Sequence, residues 1–236
     1  MSQPTLYLIP VPLSDTPLSD VLPEGNLQVI RRLRYFVVET LREARRFLRR
    51  CDSAMPIDDI TFFEINEHSR PEDIPPCLAP LAQGYDMGVI SDAGCPAVAD
   101  PGADVVAAAQ AAGYRVMPLV GPSSILLGLM ASGFNGQQFA FRGYLPAKGE
   151  QRTRALKTLV QRIRRDRETQ IFIETPYRNN AMMSDLLQTL PATMRLCVAT
   201  DLTGKEQSAV TRTIAQWRER GDVTLPKLPT IFLLYE

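Results

Sequence analysis

The stretch Ser91-Asp-Ala-Gly-Cys-Pro-Ala-Val-Ala-Asp-Pro-Gly102 decides the fold, because it joins an apolar run to a helical one. Residues 87–90 predict a buried strand before it, and residues 103–112 predict a helix after it. Open parallel sheets bind ligands at the carboxyl ends of their strands, where such a loop lies. Asp92 and Asp100 offer acceptors for hydroxyl groups or a cationic amine. The loop is therefore a candidate cofactor site, although an ordinary strand-to-helix turn would use the same residue types.

Strand-like and helical segments alternate on both sides of this loop. Short apolar runs in the first half predict strands at 5–9, 35–39, 60–65, 87–90 and 114–120. The intervening segments, including 74–83, predict single helices, and this alternation is typical of a parallel sheet covered by helices. Further strands are predicted at 139–144, 169–174, 196–200, 207–211 and 229–235. We expect an α/β protein with two domains, at residues 1–119 and 120–236.

Composition excludes several classes of protein. The chain has 236 residues, of which 45% are hydrophobic, but no apolar run is long enough to cross a membrane. Four cysteines without short spacing and one histidine, His68, argue against a disulfide framework and a metal centre. The first residues do not resemble a signal peptide, so we expect a cytoplasmic protein. Neither a G-x-G-x-x-G sequence nor a Walker loop follows the first strand, which argues against a nicotinamide dehydrogenase.

Charge is distributed unevenly although the formal net charge is zero. Residues 31–50 contain eight arginines and two glutamates, and residues 142–178 contain ten bases and four acids. Between them, residues 51–104 contain eleven acids and one arginine. Arginine forks match phosphate geometry, so the two basic segments could bind an RNA backbone. Alternatively, they are the solvated faces of two helices.

Four segments in order resemble the tetrapyrrole methylase superfamily, the class III S-adenosylmethionine-dependent methyltransferases. They are Ser91–Pro96 with Asp100–Gly102, Val120-Gly-Pro-Ser-Ser124, Phe141-Arg-Gly-Tyr-Leu-Pro146 and Ile173-Glu-Thr-Pro-Tyr-Arg178. Thr200-Asp-Leu-Thr-Gly-Lys-Glu206 is a weaker fifth. Within the superfamily, the segments are most similar to the branch that methylates a cytidine ribose 2′-oxygen in small-subunit ribosomal RNA.

The resemblance implies a fold, a cofactor and an assembly. Members have a parallel-sheet N-terminal domain and a mixed-sheet C-terminal domain, bind S-adenosylmethionine between the two, and form homodimers. By this likeness, the residues expected to bind the cofactor are Pro10, Val11, Asp92, Gly94, Pro96, Val98, Ser123, Ser124, Leu202 and Thr230. No metal is expected.

The chain departs from the branch on the side where the substrate is expected. Pro10-Val-Pro-Leu-Ser-Asp15 replaces the usual Pro-Ile-Gly-Asn-Leu, and Glu39-Thr-Leu-Arg42 replaces Glu-Asp-Thr-Arg. Phe62-Phe-Glu-Ile-Asn-Glu67 lacks the two histidines of Tyr-His-Glu-His-Asn-Glu. The chain therefore resembles a divergent member in which the cofactor motifs are better kept than the substrate motifs.

Transfer of a methyl group to a ribose hydroxyl requires an acceptor for the hydroxyl proton or its hydrogen bond. The candidates lie near the ends of predicted strands two and three: Glu39, Asn66 and Glu67, with Glu64 beside them. Glu39 could instead form an ion pair with Arg42 or Arg45, and Glu64 and Glu67 could belong to a solvated acidic rim.

Three arginines are predicted to bind substrate phosphates: Arg42, Arg45 and Arg178. For Arg178 the alternative is a structural salt bridge with Glu174, which stands four residues earlier.

The sequence thus predicts an S-adenosylmethionine-dependent methyltransferase that acts on RNA, possibly within an assembled ribosomal subunit. Two alternatives remain: a methyltransferase for a small tetrapyrrole-like acid, and a degenerate protein that binds cofactor or RNA without turnover.

Overall fold

The protein divides into two compact units, the first ending at Ser123 and the second beginning at Ser124. The computed structural model describes residues 3–66, 68–221 and 223–236. Within these residues no helix is both long enough and apolar enough to cross a membrane.

A parallel sheet of five strands forms the centre of the first unit, with the order β3-β2-β4-β1-β5. The strands are β1 (Thr5–Ile9), β2 (Tyr35–Val38), β3 (Thr61–Glu64), β4 (Met87–Ile90) and β5 (Arg115–Pro118). All four residues of β4 are buried. Strands buried on both faces are continuous apolar runs, which is why the sequence pattern located them.

Helices cover both faces of this sheet. They are α1 (Leu18–Val21), α2 (Glu24–Arg32), α3 (Leu41–Cys51), α4 (Ile74–Cys77), α5 (Ala79–Ala82) and α6 (Gly102–Ala111). The prediction of one helix over 74–83 was wrong, because the chain breaks at Leu78 between α4 and α5. Pro80 has no N–H for an interior helical bond, and its ring clashes with the preceding turn.

The second unit contains a mixed sheet with the order β6-β7-β10-β8-β9. Its strands are β6 (Phe139–Tyr144), β7 (Thr169–Glu174), β8 (Arg195–Thr200), β9 (Ser208–Thr213) and β10 (Thr230–Tyr235). Only the β6–β7 pair is parallel among the described strands of this sheet. The helices are α7 (Ser124–Ser132), α8 (Gly149–Asp166), α9 (Asn179–Thr189) and α10 (Ile214–Glu219). The predicted α/β fold, with one parallel and one mixed sheet, is confirmed.

Helix α8 carries a buried arginine on its inner face. The side chain of Arg152 is 1% exposed and donates from Nη1 to Asp185 Oδ2 at 2.8 Å. Its Nη2 donates to Glu174 Oε2 at 3.2 Å and to the Ala147 carbonyl, and its Nε donates to the Pro146 carbonyl at 2.8 Å. Arg152 therefore joins α8 to α9, to β7 and to the loop after β6.

Candidate cofactor and substrate site

The loop after β1 is joined directly to the loop after β4. The Val11 N–H donates to the Gly94 carbonyl at 2.9 Å, and the Gly94 N–H donates to the Val11 carbonyl at 3.0 Å. Gly94 has a φ of +74°, in the left-handed region that favours glycine. Three residues predicted to bind the cofactor, Pro10, Val11 and Gly94, therefore lie together at the carboxyl edge of the sheet.

A third segment, Gly121–Ser123, closes onto the same place. A Cβ atom on Gly121 would lie 2.2 Å from Pro10 Cβ, so only glycine permits this approach. The Cys95 thiol lies 3.5 Å from the Pro122 carbonyl oxygen. The first unit therefore brings together the segments that contain Pro10, Gly94 and Ser123, as the resemblance implies for a cofactor site.

Asp100 holds the loop after β4 in shape. Its Oδ1 accepts hydrogen bonds from the Ala97 N–H at 2.9 Å and from the Gly102 N–H at 2.7 Å. Ala97 and Ala99 have positive φ values of 67° and 64°, and such strained backbone is concentrated at functional sites. Between these two residues Val98 is 49% exposed. Asp100 is therefore a positioning residue, and the loop presents Val98 to solvent.

Asp92 belongs to a hydrogen-bonded cluster at the ends of β2 and β4. The Asp92 N–H donates to Glu39 Oε2 at 3.1 Å, and Thr40 Oγ1 donates to Asp92 Oδ2 at 2.8 Å. Glu39 and Thr40 follow β2, and Asp92 is exposed. Predicted cofactor and catalytic residues, Asp92 and Glu39, are thus in direct contact. Thr40 was not among the predicted site residues, although its place after a strand of the parallel sheet was the available signal.

The end of β3 adds a third carboxylate to this edge. Glu64 Oε2 accepts from the Leu41 N–H at 3.4 Å, and Glu64 Oε1 accepts from Asn66 Nδ2 at 3.2 Å. Asn66 Oδ1 accepts from the His68 N–H at 3.0 Å. The amide of Asn66 is therefore used within its own turn, and its catalytic role stays a prediction. Glu67, also predicted to be catalytic, lies outside the described residues.

A groove of about 810 Å³ runs along α3 from the same edge. It is lined by Thr40, Leu41, Arg42, Arg45, Arg46, Arg49, Arg50 and Glu64. Arg42 and Arg45, the predicted substrate-binding residues, lie on its wall. The guanidinium of Arg45 lies 5.6 Å from the centroid of the Phe62 ring. The groove is thus open to solvent and strongly basic, and it includes Glu64 and Thr40 in its lining.

The predicted site residues of the second unit have partners of their own. Thr230 Oγ1 lies 3.0 Å from Thr200 Oγ1, accepts from Asn179 Nδ2 at 3.1 Å and donates to the Leu228 carbonyl at 3.0 Å. Leu202 is buried, and Ser124 is the first residue of α7.

Arg178 forms the salt bridge that was the alternative to phosphate binding. Its Nη2 lies 2.7 Å from Glu174 Oε1, and its Nε donates to the same oxygen at 2.8 Å. Burial raises the pKa of Glu174, but hydrogen bonds from Arg178, the Thr175 N–H and Arg152 outweigh it, so the pKa lies below its ordinary value. Arg178 thus helps to keep a buried carboxylate ionised.

Metal ligands do not cluster within the described parts of the chain. No group of three or more histidine, cysteine, aspartate or glutamate side chains there could hold a metal ion.

Curated relatives share one name. The chain is 31% identical over 198 residues to "Ribosomal RNA small subunit methyltransferase I" of Synechocystis sp., covering 84% of this chain and 67% of the relative. It is 33% identical over 217 residues to the protein of that name from Xylella fastidiosa, covering 91% and 75%. For the Vibrio cholerae protein the identity is 30%, with 85% and 65% covered. The match thus spans about two thirds of the length of these first relatives.

Solved structures agree on the fold. The methyltransferase CobJ matches with a TM-score of 0.63 and 16% identity, covering 100% of this chain and 95% of that one. Uroporphyrin III C-methyl transferase from Thermus thermophilus matches with a TM-score of 0.58 and 16% identity, covering 98% and 97%. Profiles of protein families give no match. The chain belongs to the ribosomal RNA small subunit methyltransferase I family, which has the tetrapyrrole methylase fold.

Proposed function

We propose that this protein is an S-adenosylmethionine-dependent methyltransferase that methylates small-subunit ribosomal RNA at a cytidine ribose 2′-oxygen. The observation that carries the proposal is the junction of Val11, Gly94 and Gly121 beside the Glu39–Thr40–Asp92 cluster. Family membership supports the methyl-transfer chemistry, and the names of the relatives support RNA as the acceptor.

The residues at this junction fit the chemistry of S-adenosylmethionine. The cofactor carries hydroxyl groups and an ammonium group, for which the exposed Asp92 carboxylate is an acceptor. The absence of side chains at Gly94 and Gly121 lets the segments that carry Val11, Asp92 and Ser123 pack closely against one another. We assign cofactor contacts to Pro10, Val11, Asp92, Gly94, Pro96, Val98, Ser123, Ser124, Leu202 and Thr230. When bound, the cofactor supplies an electrophilic methyl group.

The remaining task is to orient the acceptor hydroxyl and receive its proton. Glu39 is the best placed carboxylate, because it touches the Asp92 backbone and lies at the same strand ends. A hydroxyl held by a carboxylate is positioned for in-line attack, and positioning supplies much of the acceleration. Asn66 and Glu67 belong to this proposal as neighbouring groups that orient the ribose. Arg42, Arg45 and Arg178 would bind phosphates, with Arg178 also paired to Glu174.

The assembly and its location are part of the same proposal. The likeness to the superfamily supports a homodimer, and a ribosomal substrate would place that homodimer in the cytoplasm. Sedimentation of the purified protein measures the dimer directly.

Calorimetric titration with S-adenosylmethionine and S-adenosylhomocysteine tests the cofactor site. We expect micromolar binding that Asp92→Ala weakens about tenfold or more, since a hydrogen bond to a charged group contributes roughly 1.5–3 kcal/mol. Asp58→Ala is the matched control, because Asp58 is an exposed acid that precedes β3. It therefore lies at the amino-terminal ends of the strands, away from Asp92. An absence of binding to the unsubstituted protein would overturn the proposal.

Transfer of a tritiated methyl group then tests the acceptor. Small ribosomal subunits that lack this modification should become labelled on RNA, and nuclease digestion should yield 2′-O-methylcytidine. Cofactor binding without transfer to small subunits or to their RNA would show the degenerate, non-catalytic protein instead.

A further inference from the structure

We propose that the outer face of α3 binds successive phosphates of the RNA substrate and leads the strand to the methyl-transfer site. This inference rests on the proposed function, which supplies RNA as the substrate. The binding surface is called the α3 arginine face, and it consists of Arg42, Arg45, Arg46 and Arg49.

The spacing of these arginines places them on one side of the helix. Positions i, i+3, i+4 and i+7 share a face, and the rise of about 1.5 Å per residue spreads the four Cα atoms over about 10 Å. The opposite side is buried through Ala44, Phe47, Leu48 and Cys51. The α3 arginine face is therefore fixed in orientation by the core and turned into the 810 Å³ groove.

The positive charge of this face is mostly uncompensated. One carboxylate, that of Glu43, lies 3.9 Å from Arg42 Nε and 3.4 Å from Arg46 Nη1. Among the described residues, no acidic side chain forms an ion pair with Arg45 or Arg49. Arg42 and Arg46 thus share one carboxylate while Arg45 and Arg49 have none at ion-pair distance among the described residues, so Coulomb attraction remains available for an anionic ligand.

The chemistry of the face favours phosphate. A guanidinium group presents a planar fork of donors that matches two phosphate oxygens, and it sheds water more easily than an ammonium group. The Phe62 ring lies 5.6 Å from the Arg45 guanidinium. Stacking of this kind restricts the side chain before the ligand arrives, so less entropy is lost on binding.

The groove is continuous with the proposed reaction site. Thr40 and Glu64 line its inner end, and Thr40 Oγ1 donates to Asp92 Oδ2 at 2.8 Å. A strand whose phosphates lie on the α3 arginine face would reach the carboxyl edge of the sheet at Asp92. The face is therefore placed to orient the ribose that is methylated as well as to bind RNA.

The test compares two double variants that remove the same charge from different helices. Arg45→Gln with Arg49→Gln changes the α3 arginine face, and Arg162→Gln with Arg165→Gln changes the exposed side of α8. Fluorescence anisotropy with a labelled single-stranded RNA of about 12 nucleotides, a length one binding domain can cover, gives the affinity of the full chain. The titration is repeated between about 50 and 200 mM salt.

We expect the α3 double variant to bind RNA roughly tenfold or more weakly. Its salt dependence, log K against log salt concentration, should become less steep by about 1.4, since each lost phosphate contact removes about 0.7 for a single strand. The α8 double variant should change the affinity less than about twofold and leave this slope almost unchanged. Circular dichroism and thermal melting check that both variants remain folded.

Two results would overturn the inference. An equal loss for both double variants would show diffuse attraction without a defined site. Unchanged RNA binding by the α3 double variant, with weaker binding to whole small subunits, would show that the face contacts an acidic protein. Both results differ from failure of the proposed function, which is judged on the unsubstituted protein by cofactor titration and methyl transfer.

Discussion

Helices α3 and α8 are both rich in arginine, but their outer faces differ in how the charge is paired. On α8, Arg154 lies 2.7 Å from Glu150, Arg165 lies 2.7 Å from Asp166, and Arg164 lies 3.3 Å from Glu236. Each of these three arginines has its own carboxylate, whereas on the α3 arginine face Arg42 and Arg46 share Glu43. The hydrogen bonds that Arg165 donates to the Asp166 carboxylate also raise the pKa of Arg165 above its ordinary value. Arginine content alone therefore does not identify a binding surface.

The inner, buried faces of the two helices also differ, because here α8 carries a charged side chain and α3 does not. The buried side of α3 is apolar, through residues such as Phe47 and Leu48. The buried side of α8 includes Arg152, whose guanidinium contacts Glu174 and Asp185. Among the described residues, arginines of α8 thus form ion pairs on both faces, with Arg162 the exception, whereas the buried face of α3 is apolar and Arg45 and Arg49 form no ion pair.

The largest expected effect is that of Arg152→Ala on the stability of the second unit. Loss of one partner from a buried ion pair costs about 3–5 kcal/mol, and because Arg178 still pairs with Glu174 after the substitution, we expect the lower end, about 3 kcal/mol. Arg49→Ala on α3 should change the unfolding free energy by less than about 0.5 kcal/mol. Trp217, the only tryptophan, lies in the second unit and its fluorescence during urea unfolding reports the Arg152→Ala loss. A loss of unfolding free energy below about 1 kcal/mol would contradict the structural role of Arg152.

Low pH should decrease the stability of the second unit through the ion pairs that Glu174 forms with Arg152 and Arg178. The pKa of Glu174 in the folded protein is lowered, so its contribution to stability is complete above its ordinary pKa of 4.5 and is lost as pH falls through the lower folded value. We expect the urea midpoint of the Trp217 signal to fall in that range. Glu174→Gln should start from a lower midpoint and depend less on pH there. Parallel pH curves for the two proteins would contradict this role.

A smaller effect is expected from the one carboxylate on the α3 arginine face. Glu43→Gln removes the group that competes for Arg42 and Arg46, so RNA affinity at low salt should rise about two- to fivefold. Glu150→Gln on α8 is the matched control and should leave the affinity unchanged. If the two substitutions raise RNA affinity equally, the ion pairing of the arginines does not explain a difference in RNA binding between α3 and α8.

The reactivity of the Cys51 thiol, at the end of α3, should not change when the outer arginines are replaced. Burial raises the pKa of the Cys51 thiol to about 12, against a smaller lowering by Arg50, so little thiolate exists at about pH 8. Cys51 should resist a thiol reagent in the Arg45→Gln/Arg49→Gln variant, as in the unsubstituted protein. Mass spectrometry of the labelled peptides measures this. If Cys51 of the variant were labelled rapidly, α3 would be displaced, and the loss of RNA binding would be due to that displacement.

Sequence patterns predicted the strands well where apolar runs end sharply. The bounds of β1, β4, β6 and β7 agree with the predicted ranges. The helix over 74–83 was not predicted correctly, because its apolar periodicity outweighed the prolines that divide it. The four-residue helix α1 was missed, since so short a segment has little periodicity.

The candidate site was predictable residue by residue but not contact by contact. Resemblance pointed to Val11 and Gly94, yet the hydrogen bonds between their backbones join positions far apart in sequence. The Glu174–Arg178 bridge could be anticipated, because its members stand four residues apart at the end of a strand. The difference between α3 and α8 could not, because one α8 partner, Glu236, lies 72 positions from Arg164.

The position of β10 has a consequence for synthesis on the ribosome. Strand β10 lies between β7 and β8, so the second sheet has a gap at its centre until residue 235 has been made. The first sheet, in contrast, has all its strands once residue 118 has left the exit tunnel. Domains fold as units during translation. The unit that carries Asp92 and α3 can therefore fold early, while the apolar strands of the second unit remain without their central partner until β10 itself has been synthesised.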